Sequence, residues 1–272
     1  MANPAFSNSP AFSAKAAQRA GVVPAVPTPD QLQEHYSLPS ATPDQMERMT
    51  YQDTIFKTLA SFAVLLVAAV IGWTFPVLTW VGLIAGFVLA LVNIFKRKPS
   101  PALVLAYAFA EGLFVGGISM FYTLIVPGSS IVPMALFGTL GVVAVTLALF
   151  ANGKVRVSKR STQIFLVAIL GYAAFSLVNF GLMMFGVTDS MFGLRDVQIP
   201  IFGGIPLGIP LGILAVLLGA YSLVMDFDYV KRGVETGQPR IYGWTAAFGI
   251  MVTVVWLYLE ILRLLSYFLP RN

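Results

Sequence analysis

Two carboxylates, Asp226 and Glu260, lie at or inside the ends of long apolar runs, over residues 205–227 and 242–268. Removing an ionised carboxylate from water costs several kcal/mol unless the group is paired, hydrated or protonated. Glu260 and Arg263 are three residues apart, so they can pair on one helix face and reduce that cost. An acid at membrane depth is a candidate functional group, so Asp226 and Glu260 are the first candidates in this chain.

A third carboxylate, Glu111, lies near the middle of another apolar run. At this depth its side chain must face the interior of a helix bundle. A structural hydrogen bond to Asn93, to Asn179 or to a backbone carbonyl agrees with the sequence about as well as a role in transport. Both interpretations stay open at this point.

Asp226 and Asp228 are two positions apart and therefore lie on nearly opposite faces of a helix. Only one of them can face the bundle axis. If that residue is Asp226, Asp228 faces the headgroups or the following loop, where it can pair with Lys231 or Arg232 at helical spacing.

The composition of the chain indicates the environment of these charges. Of its 272 residues, 57% are hydrophobic and 11% are charged, and the mean hydropathy is +0.81. Apolar runs of about 20 residues, the length that spans a bilayer core as a helix, recur along the chain. We therefore predict an all-α polytopic membrane protein.

Seven helical spans are delimited by charged residues, Pro and Gly. They cover residues 55–73, 76–95, 102–126, 131–150, 162–185, 205–227 and 242–268. All but three of the 17 Lys and Arg residues, including Arg97 after the second span, fall on one side of the membrane; the exceptions are Arg195, Arg263 and Arg271. The positive-inside rule then places the N-terminus in the cytoplasm and the C-terminus outside.

Residues 1–50 form a separate region rich in Pro, Ser, Ala and Asn, which we predict to be a disordered cytosolic tail. The tail contains the single histidine, His35. Thr42 and the three residues after it match a helix N-terminus, so a short interfacial helix is expected over residues 46–51. The seven-helix domain then covers residues 51–272.

Glycines at four-residue spacing predict close helix contacts. They are Gly82 and Gly86, Gly112 and Gly116, and Gly204, Gly208 and Gly212. A tandem Gly-Ile-Pro-Leu repeat over residues 204–211 should bend or break the entry to the sixth helix. A kinked helix start, an external re-entrant loop and a gate are the alternatives.

The C-terminal third resembles the last two helices of the transmembrane Bax inhibitor motif family, specifically those of its bacterial relatives. The resemblance is strongest in Met225-Asp226-Phe227-Asp228-Tyr229 and continues in residues 257–265. Residues 107–113 fit the third helix of the family. The similarity covers about residues 50–268 and leaves the Pro-rich tail outside.

The resemblance implies six helices around a central seventh and a calcium-permeable leak pathway that is sensitive to pH. In the family, an aspartate near the cytosolic end of the sixth helix faces another at mid-depth in the seventh. Asp226 matches the first position, but the second falls at Thr253, counted back from Arg263. Two carboxylates that share a site titrate as a coupled unit, and one Asp facing a Thr loses most of that coupling.

We therefore expect a pH-sensitive calcium or cation leak channel, or an exchanger, of the bacterial plasma membrane, gated by protonation of Asp226. Glu111, Glu260 and Thr253 would add oxygen atoms to the pathway. The expected supporting charges are Asp228, Arg263, Lys231 and Arg97. Transient calcium at Asp226 is the one metal contact expected; the partners are the bilayer and calcium or protons, without nucleic acid or a resident cofactor.

A non-conducting regulator is the alternative, in which the tail binds a membrane-anchored protease or another membrane protein. An enzyme is not expected, because the chain has no cysteine and shows no cluster of acids or His ligands. Deleting the tail separates the first two possibilities.

Overall fold

The computed structural model describes residues 47–188, 190–200 and 203–269. Seven long helices make up most of this part of the chain, and all seven are long and apolar enough to span a membrane. They are α1 (Tyr51–Thr74), α2 (Leu78–Phe95), α3 (Pro101–Ile125), α4 (Ile131–Ala151), α5 (Lys159–Met184), α6 (Gly208–Glu235) and α7 (Gly243–Leu265). The predicted all-α polytopic fold is confirmed.

The largest change in a helix boundary is in α6. This helix ends at Glu235, whereas the apolar run predicts an end at residue 227. The additional two turns carry charged side chains that pair at helical spacing, so they continue the helix beyond its apolar section. Asp226 is therefore an internal residue of α6.

The connection between α5 and α6 contains a short 3-10 helix, Gly193–Asp196, and a two-stranded antiparallel hairpin of β1 (Gln198–Ile199) and β2 (Ile205–Pro206). The first Gly-Ile-Pro-Leu repeat supplies β2, and the second opens α6. Pro210 is in the first turn of the helix, where its missing N–H has no helical partner to lose. The repeat thus delays the start of α6 to Gly208.

Glycines bring α1 against α3 at backbone distance. A Cβ added at Gly112 or Gly116 would overlap the backbone of α1, and one added at Gly72 would overlap α3. Gly82 holds α2 against α3 in the same way. Gly204 departs from the prediction: it is a turn residue with φ +80°, and packs no helix pair.

The last two helices run antiparallel and also approach through small residues. Leu264 and Leu257 of α7 fill the space above Gly212 and Gly219 of α6, and Tyr267, just after α7, fills the space above Gly208. Helix α7 packs against α1, α3, α4 and α6, and reaches α5 through a side-chain hydrogen bond. It is the central helix of the bundle, while α2 lies outside it against α3.

The start of α1 corrects another expectation. Residues 47–50 are not helical; Thr50 caps α1 by accepting a hydrogen bond from the Asp53 N–H at 3.2 Å. The backbone before the cap pairs with the α6–α7 connection, with Met49 N–H donating to the Gln238 carbonyl at 2.7 Å. The prediction of an interfacial helix is therefore wrong over residues 47–50. The structure does not describe residue 46, the helix-start motif, His35 or Arg271.

The α1–α3 contact gives a direct test of the packing. Gly116→Ala should destabilise the protein by about 1–3 kcal/mol, because the new methyl group overlaps the Ala69 carbonyl and comes within 2.8 Å of the Trp73 nitrogen. The control is Gly141→Ala in α4, where no atom lies within 4 Å, so a gain of about 0.5–1 kcal/mol is expected from helix propensity. Thermal unfolding in detergent micelles measures both; equal midpoints would contradict the backbone contact.

Candidate functional site

The antiparallel pairing of α6 and α7 places Asp226 opposite residues 249–253. The Thr253 hydroxyl donates a hydrogen bond to Asp226 Oδ2 at 2.7 Å, and Ser222 Oγ lies 3.3 Å from the Thr253 oxygen. A Cβ at Gly249 would be 3.2 Å from Asp226 Oδ1, so the glycine leaves space for the carboxylate. The Thr253 hydroxyl thus faces Asp226 across the α6–α7 contact.

Asp226 differs from most other helical acids in its charge environment. Asp53, Asp228, Glu235 and Glu260 each have a Lys or Arg nitrogen within 4.0 Å. In the part of the chain that the structure describes, no such ion pair forms at Asp226. Among these contacts, only the Thr253 hydroxyl dipole stabilises the charge of Asp226.

Three of the four expected supporting charges, Asp228, Lys231 and Arg97, lie at or near the surface, whereas Arg263 pairs with Glu260 inside the bundle. Asp228 pairs with Arg232 at 2.7 Å, and Lys231 lies 3.8 Å from Glu235, so the sequence interpretation of Asp228 as a helix-surface ion pair agrees with the structure. Arg97 is exposed in the loop that follows α2. These pairs are exposed at one or both members and contribute little to stability.

Glu111 is between α2 and α3. Tyr107 lies one turn earlier on α3, and a Cβ at Gly86 of α2 would be 3.1 Å from Glu111 Oε2. The predicted hydrogen bond of Glu111 to Asn93 or Asn179 is wrong. Asn93 donates to backbone carbonyls, and Asn179 forms hydrogen bonds with the connection after α5. Glu111 is therefore on the far side of α3 from the α6–α7 contact.

Glu260 is at the centre of a second polar cluster. It is 4% exposed, and its Oε1 accepts hydrogen bonds from Tyr172 at 2.5 Å and from Arg263 at 2.7 Å. Arg195, 5% exposed, lies with its Nη1 atom 3.7 Å from Glu260 Oε2. The pairing of Glu260 with Arg263 was predicted from their spacing in the sequence, whereas the contact of Glu260 with the Arg195 guanidinium was not.

Arg195 is the residue that sequence reasoning missed. Its position in the α5–α6 connection suggested an exterior charge, but its Nη2 atom donates to Tyr172 at 2.8 Å and to Ser176 at 3.1 Å. The guanidinium also lies over the rings of Tyr172 and Phe175, at 5.2 and 5.7 Å. An isolated arginine in a long connection of low charge was the available signal.

A cavity of about 400 Å³ adjoins this cluster. Its polar lining includes Arg195, Glu260 and Arg263, and its apolar lining includes Phe180, Met183 and Trp256. An apolar cluster of Phe165, Tyr172, Ala215 and Leu218, against which Trp256 and Met225 pack, lies beside it. Glu260 is seven residues beyond Thr253, about 10 Å along α7, so apolar side chains separate the two polar sites.

A third cluster ties α1 to the α6–α7 connection. Asp53 forms ion pairs with Lys57 and with Arg240, the latter at 2.8 Å, and Lys57 Nζ donates to the Arg240 carbonyl at 2.6 Å. Lys57 also lies 5.7 Å from the centre of the Trp244 ring. We call these residues the N-terminal clamp; it holds the chain segment that follows the tail against the end of α6.

Seven apolar helices, with a carboxylate between the last two that forms no ion pair among the described residues, define a polytopic membrane protein. The chain belongs to the Bax inhibitor 1 like family, whose sequence model matches residues 3–269. The match includes the Pro-rich tail, which the resemblance of the helices had left outside. No curated protein matches the chain.

The clamp can be tested by removing its central charge. Asp53→Asn should destabilise the protein by about 1–3 kcal/mol, because Lys57 and Arg240 lose the anion they share. Hydrogen exchange should rise in residues 47–50 and 236–242. Glu235→Gln is the control, since its pair with Lys231 is exposed; equal exchange in the two variants would show that the clamp does not hold the connection.

Proposed function

We propose that this protein forms a cation leak pathway, permeable to calcium, that is open when Asp226 is ionised and closed when Asp226 is protonated. The observation that carries the proposal is the partly buried hydrogen bond of the Asp226 carboxylate with Thr253, without an ion pair among the described residues. A carboxylate in this environment favours either a proton or a hydrated cation. The family fold supplies the bundle in which such a pathway would run.

Protonation of Asp226 determines whether the α6–α7 contact can exclude water and cations. A neutral Asp226 removes the charge that attracts water and cations, and the glycine-lined contact of α6 with α7 can then close around it. Ionisation restores a site of hard oxygen atoms, in which Asp226, Thr253 and Ser222 are close together. Few ligands make binding weak, as conduction requires, because an ion must leave the site as readily as it enters.

The proposed site contains one titrating acid instead of two. Thr253 replaces the second carboxylate of the family pattern, so no proton is shared between neighbouring acids. Flux should therefore follow pH as a single protonation step. A coupled pair would give two steps or a steeper dependence.

Glu260 is a weaker candidate for a cation station than Asp226. Two guanidinium groups accompany its single carboxylate, so the cluster repels a cation that approaches it. Glu111 is separated from the α6–α7 contact by α3 itself. In the proposed pathway both therefore support the bundle, and Asp226 carries the charge that a cation meets.

We place the N-terminus and the clamp on the cytoplasmic side of a bacterial plasma membrane, as the distribution of Lys and Arg indicates. In this arrangement Asp226 faces the cytoplasmic half of the bundle, and the Glu260 cluster faces the outer half. The proposal includes no enzymatic step and no resident cofactor. In the described part of the chain, no three His, Asp or Glu side chains form a group that could hold a metal ion.

Calcium flux into proteoliposomes, measured over a pH series, tests the gate. The wild type should lose flux on acidification along a single-site curve, because protonation neutralises Asp226. Asp226→Asn, which cannot ionise, should give low flux at every pH. Asp228→Asn is the matched control two residues away: its side chain pairs with Arg232 on the surface, so the pH dependence should be unchanged. Unchanged pH dependence in Asp226→Asn would refute Asp226 as the sensor.

A non-conducting regulator of a membrane protease is the second candidate. The clamp favours it, because the segment that leads from the tail is attached to the connection after α6. A partner that binds the tail would therefore act directly on the helix that carries Asp226.

Deleting residues 1–45 separates the two functions. The deletion leaves the clamp in place, so a leak pathway through α6 and α7 should retain its flux and its pH dependence. Regulation through the tail should be lost, as measured by the turnover of a membrane protease substrate in cells. Loss of flux with intact folding would count against an autonomous pathway in the helix bundle.

A further inference from the structure

The cavity beside Glu260 is the feature that the proposed cation pathway does not use. It is lined by residues of α5, of the connection after α5 and of α7, and its volume of about 400 Å³ is within the usual range for small-molecule sites. It lies at the opposite end of the α6–α7 contact from the clamp. Its lining combines buried charge with apolar side chains.

Two buried polar atoms at this site lack hydrogen-bond partners. Arg195 Nη1 and Glu260 Oε2 lie 3.7 Å apart, too far for a hydrogen bond, and neither has another hydrogen-bond partner among the described residues. Both side chains are more than nine-tenths buried. A buried guanidinium N–H without an acceptor is costly, so an acceptor from a ligand would be favourable there.

The charge of the lining favours an anion. Two guanidinium groups, Arg195 and Arg263, face one carboxylate, which leaves one excess positive charge. Asp196 follows Arg195 in the chain, but it accepts a hydrogen bond from the Phe192 N–H within the connection and is not a lining residue. Guanidinium groups bind carboxylates and phosphates with paired donors, so an oxyanion is the chemical class that fits.

The remaining walls indicate what is attached to that oxyanion. Phe180, Met183 and Trp256 present apolar surface next to the arginine. Phe180 is 60% exposed on the outside of α5, where the helix faces lipid, so the apolar wall continues toward the bilayer. A ligand that enters from the membrane can thus place its tail along α5 and its head on Arg195.

We propose that this cavity binds an aliphatic monocarboxylate from the bilayer, with its carboxylate on Arg195 and its alkyl chain against Phe180, Met183 and Trp256. Tyr172 and Ser176 hold the Arg195 guanidinium in position for the ligand. Arg263 stays paired with Glu260 and keeps that carboxylate from repelling the incoming head. This proposal does not rest on ion flux through Asp226.

Isothermal titration with octanoate tests the site. The protein is reconstituted in phosphatidylcholine nanodiscs, and empty nanodiscs give the heat of partitioning into lipid. Saturable binding above this blank is expected for the wild type, with an affinity at least tenfold weaker in Arg195→Gln. Arg160→Gln, an exposed arginine at the other end of α5, is the control and should bind as the wild type does.

Two further measurements keep the result interpretable if Arg195→Gln folds poorly. Ser176→Met fills the cavity without removing either arginine, and it should also weaken octanoate binding at least tenfold. Octylammonium, with the same tail and the opposite charge, should give no heat above the blank. Equal binding of octanoate and octylammonium, or equal octanoate binding by wild type and both cavity variants, would overturn the proposal.

Binding of inorganic phosphate tests whether the site recognises the alkyl chain as well as the anionic group. The proposal expects phosphate to bind at least tenfold more weakly than octanoate, since it makes no contact with the apolar wall. Phosphate binding as tight as octanoate binding would overturn the assignment of an aliphatic ligand, because the site would then recognise an oxyanion alone.

Discussion

The close contact between α6 and α7 is the constraint on which the arrangement of buried charge depends. Gly212 and Gly219 allow side chains of α7 to lie directly on the backbone of α6, and Gly208 does the same for Tyr267, which follows α7. Gly249 of α7 leaves space for Asp226 in the same way. Bulkier residues at these positions would move the helices apart and open both polar sites to lipid or water. In a bilayer, where apolar surface gives little drive for helix association, such small-residue contacts supply the packing.

The same contact gives the two acidic sites different chemistry. Asp226 meets a hydroxyl and a glycine, so its charge has no neighbouring cation among the described residues. Glu260 meets two arginines and a tyrosine, which make it the centre of a hydrogen-bonded and ion-paired network. Breaking such a network leaves an uncompensated buried charge, whereas protonating Asp226 leaves a neutral group. The change of charge in the proposed function is therefore assigned to Asp226.

The sequence was sufficient for the helices and for part of the site. Apolar runs bounded by charges gave all seven spans, and helical spacing gave the pairs of Asp228 with Arg232 and of Glu260 with Arg263. The position opposite Asp226 came from a resemblance, and the structure brings Thr253 to it. These features are local or follow a repeated family pattern, which is why a single sequence can reveal them.

The features that were missed depend on contacts between distant parts of the chain. Arg195 belongs to a connection whose path is set by the hairpin and by Asn179, and nothing in its neighbours shows that it returns to Tyr172. Asp53 and Arg240 meet only because α1 lies beside the start of α7. The partners of Glu111 were misjudged for the same reason, since α3 turns that acid toward Gly86 of α2.

One face of α7 connects the polar sites. Gly249, Thr253, Trp256, Glu260 and Arg263 follow one another at spacings of four and three residues, so they form a single stripe along the helix. Trp256 separates the hydroxyl that faces Asp226 from the arginine-bound acid. A rotation of α7 that opened one site would move the other, because a helix turns as a rigid element. A ligand at one site can affect the other site only if it binds the two orientations of α7 with different affinity. A proton that binds Asp226 would act as such a ligand.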